Sequence, residues 1–258
     1  MKIYIFGSCA GTEPMENRHH TSMAIEVEGQ IYWFDAGDNC SYTAHLMGVD
    51  LLSVCNIFIS HPHMDHVGGL ADLLWNIRKL TYMKDMSPRF GDIVTLYMPN
   101  EKTFDGVMTI LENSELDFCS TFKVQQKRIT ESLIHKDENI SVEAIHNNHM
   151  PISDEGWVSY SFSIMAEGKK IVYSGDIKGL DDIESFIKDG CDVLFLETGH
   201  HSAEVLCSEI VQKGYDVKHI YFSHHGRAIL ADYEGELEKC RKVFPDVTFC
   251  NDKDVFCI

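Results

Sequence analysis

The run Val54 to Ser60 is apolar and strand-like, and it passes directly into His61-Pro-His63-Met-Asp65-His66-Val-Gly68-Gly69. From Gly68 to Leu80 apolar residues recur at helical intervals. A buried strand therefore delivers a histidine-rich turn, and a helix leaves it. Four side chains able to bind a metal fall within six residues, a crowding that is costly without a cation. Imidazole and carboxylate suit zinc, manganese or iron, and a tight turn can aim some of these residues at one ion and the rest at a second. The fold must therefore bring the end of a buried strand to a metal site.

The remaining pattern supplies the sheets. Residues 2–6, 24–28 and 31–35 are short and rich in β-branched or aromatic residues, with Gly29 and Gln30 where a hairpin turn belongs. Ile93 to Met98 reads as a strand, Thr103 to Leu116 as a helix and 83–91 as turn-like. Strands return at 140–145, 158–166 and 169–175, with Gly168 and Lys169 at a second hairpin turn. Helices at 180–188, 203–213 and 230–243 then alternate with strands at 193–197 and 219–223. No internal repeat or linker stands out. Two β-rich halves flanked by helices imply an α/β layered sandwich, expected as one domain over residues 1–258.

Acidic residues outnumber basic ones by 40 to 22, a formal charge of −18 that disfavours a long nucleic acid as partner. A small-molecule or nucleotide-like substrate fits better. Nine cysteines are scattered without CxxC spacing or a compact disulfide framework, which suits a reducing cytoplasm. The opening apolar run is too short for a signal-peptide core, and no stretch approaches a membrane span. Nothing in the sequence sets the subunit number, and a homodimer is compatible with it.

His61-x-His63-x-Asp65-His66 resembles the signature of the metallo-β-lactamase superfamily, and further motifs in the same order carry the likeness over most of the chain. The resemblance implies an αββα four-layer sandwich holding two divalent metal ions, zinc first, with manganese or iron as alternatives. By it, His61 and His63 would bind one metal and Asp65 and His66 the other. Asp35-Ala-Gly37 looks like the early Asp-x-Gly whose aspartate steadies the ligands. The third motif is a histidine in His146-Asn-Asn-His149-Met-Pro151. His149, two residues before the proline, is the preferred ligand and His146 the alternative. Asp176 in Tyr-Ser-Gly-Asp matches the bridging aspartate, and His224 in Ser-His-His-Gly the final ligand, with His225 as the spare.

Within that superfamily the motifs are most similar to RNase Z-like phosphodiesterases. Glu197-Thr-Gly-His200-His201-Ser202 looks like a shortened form of their proton-donating segment, which makes Glu197 and His201 a candidate general-acid pair. Asp65 would orient the attacking water or accept its proton, and His200 would face the substrate. Gly11-Thr12, Pro14, Arg18 and Ser22 follow the RNase Z-like N-terminal pattern, and Arg18 is expected to meet a phosphate. The likeness is incomplete: no basic arm for gripping transfer RNA is evident, and the last motif runs on to Arg227 in an unusual form. The expectation is a dinuclear phosphodiesterase for a small or nucleotide-like phosphodiester. The alternatives are a lactone or thioester hydrolase of the same fold, or a mononuclear iron oxidoreductase like the persulfide dioxygenases.

Overall fold

The structure, a computed structural model, describes residues 1–83 and 86–258. Its chain divides into two compact units that interleave in sequence. Unit 1 comprises Met1–Gly7, Pro14–Ile129 and Asp252–Ile258, and unit 2 comprises Ser8–Glu13 and Thr130–Asn251.

In unit 1 the expected meander is β1 (Lys2–Gly7), β2 (Ser22–Val27) and β3 (Gln30–Phe34). The β2–β3 turn falls one residue earlier than expected, at Glu28-Gly29, with φ of 49° and 79°. Val27 pairs with Gln30, so the loop has two residues, and a two-residue hairpin of this kind wants positive φ at both. Then come α1 (Cys40–Leu46), β4 (Val54–Phe58), α2 (Met64–Val67), α3 (Leu70–Met83), β5 (Ile93–Met98), α4 (Glu101–Ser114) and β6 (Lys123–Arg128). The stripe expected on α3 is real: Leu70, Leu73, Leu74, Ile77, Arg78 and Thr81 are buried. Of the turn-like stretch expected at 83–91, Met83 ends α3, and residues 84 and 85 lie outside the described residues.

Unit 2 runs through β7 (Ser132–Lys136), β8 (Ile140–His146), β9 (Tyr160–Ala166), β10 (Lys169–Tyr173), α5 (Glu184–Ile187) and β11 (Cys191–Thr198). It continues with α6 (Ala203–Lys213), β12 (Val217–His225), α7 (Arg227–Ala231), α8 (Tyr233–Val243) and β13 (Val247–Phe249). The β9–β10 turn again falls one residue early, at Glu167-Gly168, both at positive φ. The single helix expected at 230–243 is two, because the Asp232 side chain accepts a hydrogen bond from Gly235 N–H and starts α8 afresh. The last strand, β14 (Val255–Cys257), returns to unit 1 and pairs with β1.

Each unit holds a seven-stranded sheet, ordered β14-β1-β2-β3-β4-β5-β6 in unit 1 and β13-β12-β11-β10-β9-β8-β7 in unit 2. From β14 to β3 the first sheet is antiparallel, and from β3 to β6 it is parallel. Read from β7, the second sheet repeats that pattern, antiparallel to β10 and parallel to β13. Each sheet has its own helix-covered core, built in unit 1 around Trp33, Leu70, Leu74 and Phe122, and in unit 2 around Leu196, Leu206, Ile210 and Phe249. The expected ligands lie just past the carboxyl ends of β4, β8 and β10 or at the end of β12, where open α/β sheets commonly place their ligands.

Candidate metal centre

In unit 1, β4 ends at Phe58 and the chain turns at Ser60, whose N–H and hydroxyl donate to the two oxygens of Asp35 at 2.7 Å each. Asp35 Oδ2 also accepts from His66 Nδ1 at 2.7 Å. A carboxylate that takes Nδ1 fixes the tautomer and turns Nε2 outward as the donor atom, the usual arrangement behind a metal-binding histidine. Asp35 is fully buried at φ 53°, a left-handed conformation that a non-glycine residue keeps only when its surroundings hold it. Trp33 Nε1–H and the Ser22 hydroxyl both donate to its backbone carbonyl.

The glycines of both motifs are set by backbone approach. A Cβ on Gly69 would sit 2.1 Å from the Gly37 carbonyl oxygen, and one on Gly37 would sit 2.7 Å from the Asp65 carbonyl oxygen. Ala36 N–H donates to the His66 carbonyl and Gly69 N–H to the Ala36 carbonyl, so Asp-Ala-Gly and the histidine turn are laced together. His61 Nε2 lies 3.0 Å from His63 Nδ1, and His66 Nε2 lies 3.6 Å from Asp65 Oδ2. Two ligand atoms on one tetrahedral zinc are about 3.3 Å apart, so the His61–His63 spacing suits a shared cation.

In unit 2 the centre is Asp176, 2% exposed, just beyond β10. Its Oδ1 lies 3.4 Å from His224 Nε2 and its Oδ2 lies 3.6 Å from His149 Nε2, so each oxygen faces a different imidazole. Asp176, His200 and His224 also offer ligand atoms within 4.8 Å of one another. The donor set, imidazoles around a buried carboxylate, fits a divalent cation. Asn148 donates from its backbone and its side-chain amide to Asp182, and His149 N–H donates to Asn147 Oδ1, which fastens the loop that carries His149. His146 points elsewhere: its Nδ1 donates to Glu131, and its ring stacks on Trp157 with centroids 4.2 Å apart. His225, the spare, is buried and structural, with Nε2 donating to the Cys250 carbonyl.

His224 sits at φ 51°, a second strained position at the site. A Cβ on Gly199 would lie 2.5 Å from His224 Nδ1, so only glycine fits there. Glu197, at the end of β11, is 2% exposed. It takes His200 Nδ1–H on Oε1 and His200 N–H on Oε2, both at 2.9 Å. Glu197 therefore pairs with His200. The partner expected from sequence, His201, lies 3.7 Å away and donates Nε2–H to the Ile177 carbonyl at 2.9 Å. Burial pushes the Glu197 carboxyl up, but the hydrogen bonds involving His200 and His224 outweigh it and hold the group well below the usual carboxylate range. The bond to Glu197 raises the His200 imidazole above its ordinary value against the effect of burial. Arg18 lies in unit 1 on a loop tied by its own N–H to the Met15 carbonyl, apart from the histidine turn in sequence and half-buried.

Human tRNase Z short form, ELAC1, covers this chain completely at TM-score 0.75 and 19% identity, with 99% of that chain matched. The metallo-β-lactamase fold protein YhfI from Bacillus subtilis matches 99% of this chain and 98% of its own at TM-score 0.75 and 12% identity. Unliganded yeast PDE1 matches at TM-score 0.69 over 100% and 99% of the two chains, at 12% identity. These likenesses establish the metallo-β-lactamase fold, an α/β architecture. In sequence, Ribonuclease Z of Treponema pallidum (strain Nichols) is 36% identical over 74 residues, and the match spans 29% of this chain but only 24% of that protein. Ribonuclease Z of Picrophilus torridus is 23% identical over 292 residues, covering 95% of this chain and 92% of its own. The family model described as Anti-Pycsar protein Apyc1 matches residues 1–208. With most of its length inside that match, the chain belongs to the Anti-Pycsar protein Apyc1 family.

Proposed function

We propose that this protein is a dinuclear metal-dependent phosphodiesterase acting on a small or nucleotide-like phosphodiester. The observation that carries the reading is the Asp176 carboxylate, whose two oxygens face His224 and His149 separately, as a carboxylate shared by two cations would. In this reading His61, His63 and His149 would hold one cation, Asp65, His66 and His224 would hold the other, and Asp176 would serve both. The names of the relatives support the chemistry, since tRNase Z, PDE1 and a diphosphatase of the PhnP family are among the structures of similar fold.

When bound, two divalent cations lower the pKa of a water toward neutrality and offset negative charge building on the phosphoryl oxygens. Asp65 accepts the proton of the attacking water. Glu197 fixes the His200 ring through Nδ1, which leaves Nε2 to protonate the departing oxygen, the part assigned from sequence to His201. His201, tied to the Ile177 carbonyl, positions the loop. Asp35 keeps His66 in its ligand tautomer. The charge of −18 and the absence of a basic arm support a small substrate over a long nucleic acid, and the scattered cysteines support a cytoplasmic setting.

The test is to purify the protein, count its metals, and assay bis-p-nitrophenyl phosphate, cyclic nucleotides, lactones, thioesters and nitrocefin side by side. Two equivalents of metal with turnover confined to phosphodiesters is the expected result. One iron with oxygen uptake, or turnover confined to lactones or thioesters, would refute it. Light scattering on the same preparation reads the subunit number, a homodimer being compatible with the sequence.

A further inference from the structure

The ion pair between Arg227 and Glu13 has no part in the chemistry above. Arg227 Nη1 donates to Glu13 Oε1 at 3.1 Å and Nη2 to Oε2 at 2.8 Å, two parallel bonds from one guanidinium edge to one carboxylate. That fork is also the geometry with which guanidinium takes two oxygens of a phosphate. Both side chains are well exposed, at 77% and 62%. A pair this exposed contributes little to stability and opens at small cost.

Its position in unit 2 is fixed by backbone around His224. Arg227 opens α7 immediately after Gly226, and a Cβ on Gly226 would lie 2.9 Å from the Thr198 carbonyl oxygen and 3.1 Å from that of Gly199. Gly199 in turn abuts both the His224 ring and the Ala10 side chain. The segment bearing Glu13 is zipped to the same strand end, with His225 N–H donating to the Ser8 carbonyl at 2.7 Å and Ala10 N–H to the His225 carbonyl at 3.2 Å. The pair thus stands on two segments that are both anchored beside His224. In a chain of charge −18, a guanidinium on such a segment would favour an anionic substrate.

We propose that Arg227 takes the non-bridging oxygens of the substrate phosphodiester, and that Glu13 occupies its guanidinium until the substrate displaces it. The inference rests on the phosphodiesterase reading. It makes the carboxylate of Glu13 a built-in competitor of the substrate, so the two members of one ion pair should act on binding with opposite sign.

The experiment compares the metal-loaded wild type with Arg227→Ala, Arg227→Lys and Glu13→Gln on bis-p-nitrophenyl phosphate. Arg227→Ala should raise KM about tenfold, the scale of one charge-assisted bond, with a smaller effect on kcat. Arg227→Lys should recover part of that loss, and Glu13→Gln should lower KM two- to threefold, about the worth of an exposed ion pair. Equal shifts in the two partners, or no shift in either, would show an ordinary surface ion pair and overturn the proposal. If the wild type turns over no phosphodiester, the phosphodiesterase reading has failed by itself, and calorimetric titration with inorganic phosphate then decides the anion site. Weaker phosphate binding by Arg227→Ala together with tighter binding by Glu13→Gln would still support it, and any other pattern would overturn it.

Discussion

Asp35 spends both carboxylate oxygens on holding Ser60 and His66. Asp35→Asn puts an amide N–H where one donor now points, so His66 loses its fixed tautomer while the strand beneath keeps its packing. Metal affinity should fall about ten- to a hundredfold with far-UV circular dichroism unchanged, as read by competition with a chelator. The neighbours His200 and His201 make a second test. Removing a general acid hurts poor leaving groups most, so His200→Ala should lose about a hundredfold or more on an alkyl phosphodiester and far less on the p-nitrophenyl ester. His201→Ala should show no such discrimination in the same paired assay. The histidine turn was readable from sequence because its candidate ligands are contiguous and follow an apolar strand. The nearby proline made His149 rather than His146 the expected ligand, and the proposed site keeps that choice. Which of two adjacent histidines meets Glu197 was not readable, because consecutive loop residues differ only in the direction the backbone gives them.

Among the elements, strands with apolar runs were legible and edge strands were not. β6, Lys-Val-Gln-Gln-Lys-Arg, lies at the edge of its sheet with alternate residues exposed, so it carries no buried run to detect. The α7–α8 boundary was missed because the apolar period continues across Asp232, and only the capping bond ends it. Asp232→Ala should lower stability by about 1 kcal/mol, seen in urea as a lower midpoint at constant slope. On β12, His219 Nε2 lies 2.9 Å from Thr248 Oγ1 on β13, and its ring packs against Tyr221. Burial, opposed by the Asp246 charge, holds this imidazole below its usual pKa. As pH falls, the unfolded chain therefore takes up this proton first. The contribution of His219 to stability is whole above about pH 6.5 and is lost as the pH drops through the folded-state value. His219→Gln should show a shallower fall in melting temperature than wild type between pH 7.5 and 5.

At the scale of the whole chain, two units with the same sequence of antiparallel and parallel pairings arise from halves that show no alignable repeat. A pairing pattern is a property of backbone direction, which many sequences satisfy, so it left no mark that sequence reading could find. Residues 1–258 are proposed to unfold as one domain, because each unit contains chain that the other interrupts. Trp157→Phe leaves Trp33 and Trp75, both in unit 1, as the fluorophores. Its tryptophan fluorescence and its far-UV circular dichroism, which reports both units, should melt at one temperature. Two separated transitions would show that the units unfold independently. The interleaving also sets an order during synthesis. Ser8–Glu13 leaves the ribosome before nearly all of unit 1, yet its partners around His225 follow about two hundred residues later. At the ribosome's usual pace of roughly 5–20 residues per second, that is a wait of about ten seconds or more. β14, the partner of β1, is made after all of unit 2. The edge of β1 therefore stays open through the synthesis of all of unit 2, and the nascent chain must be kept from pairing that edge with another molecule until its own last strand arrives.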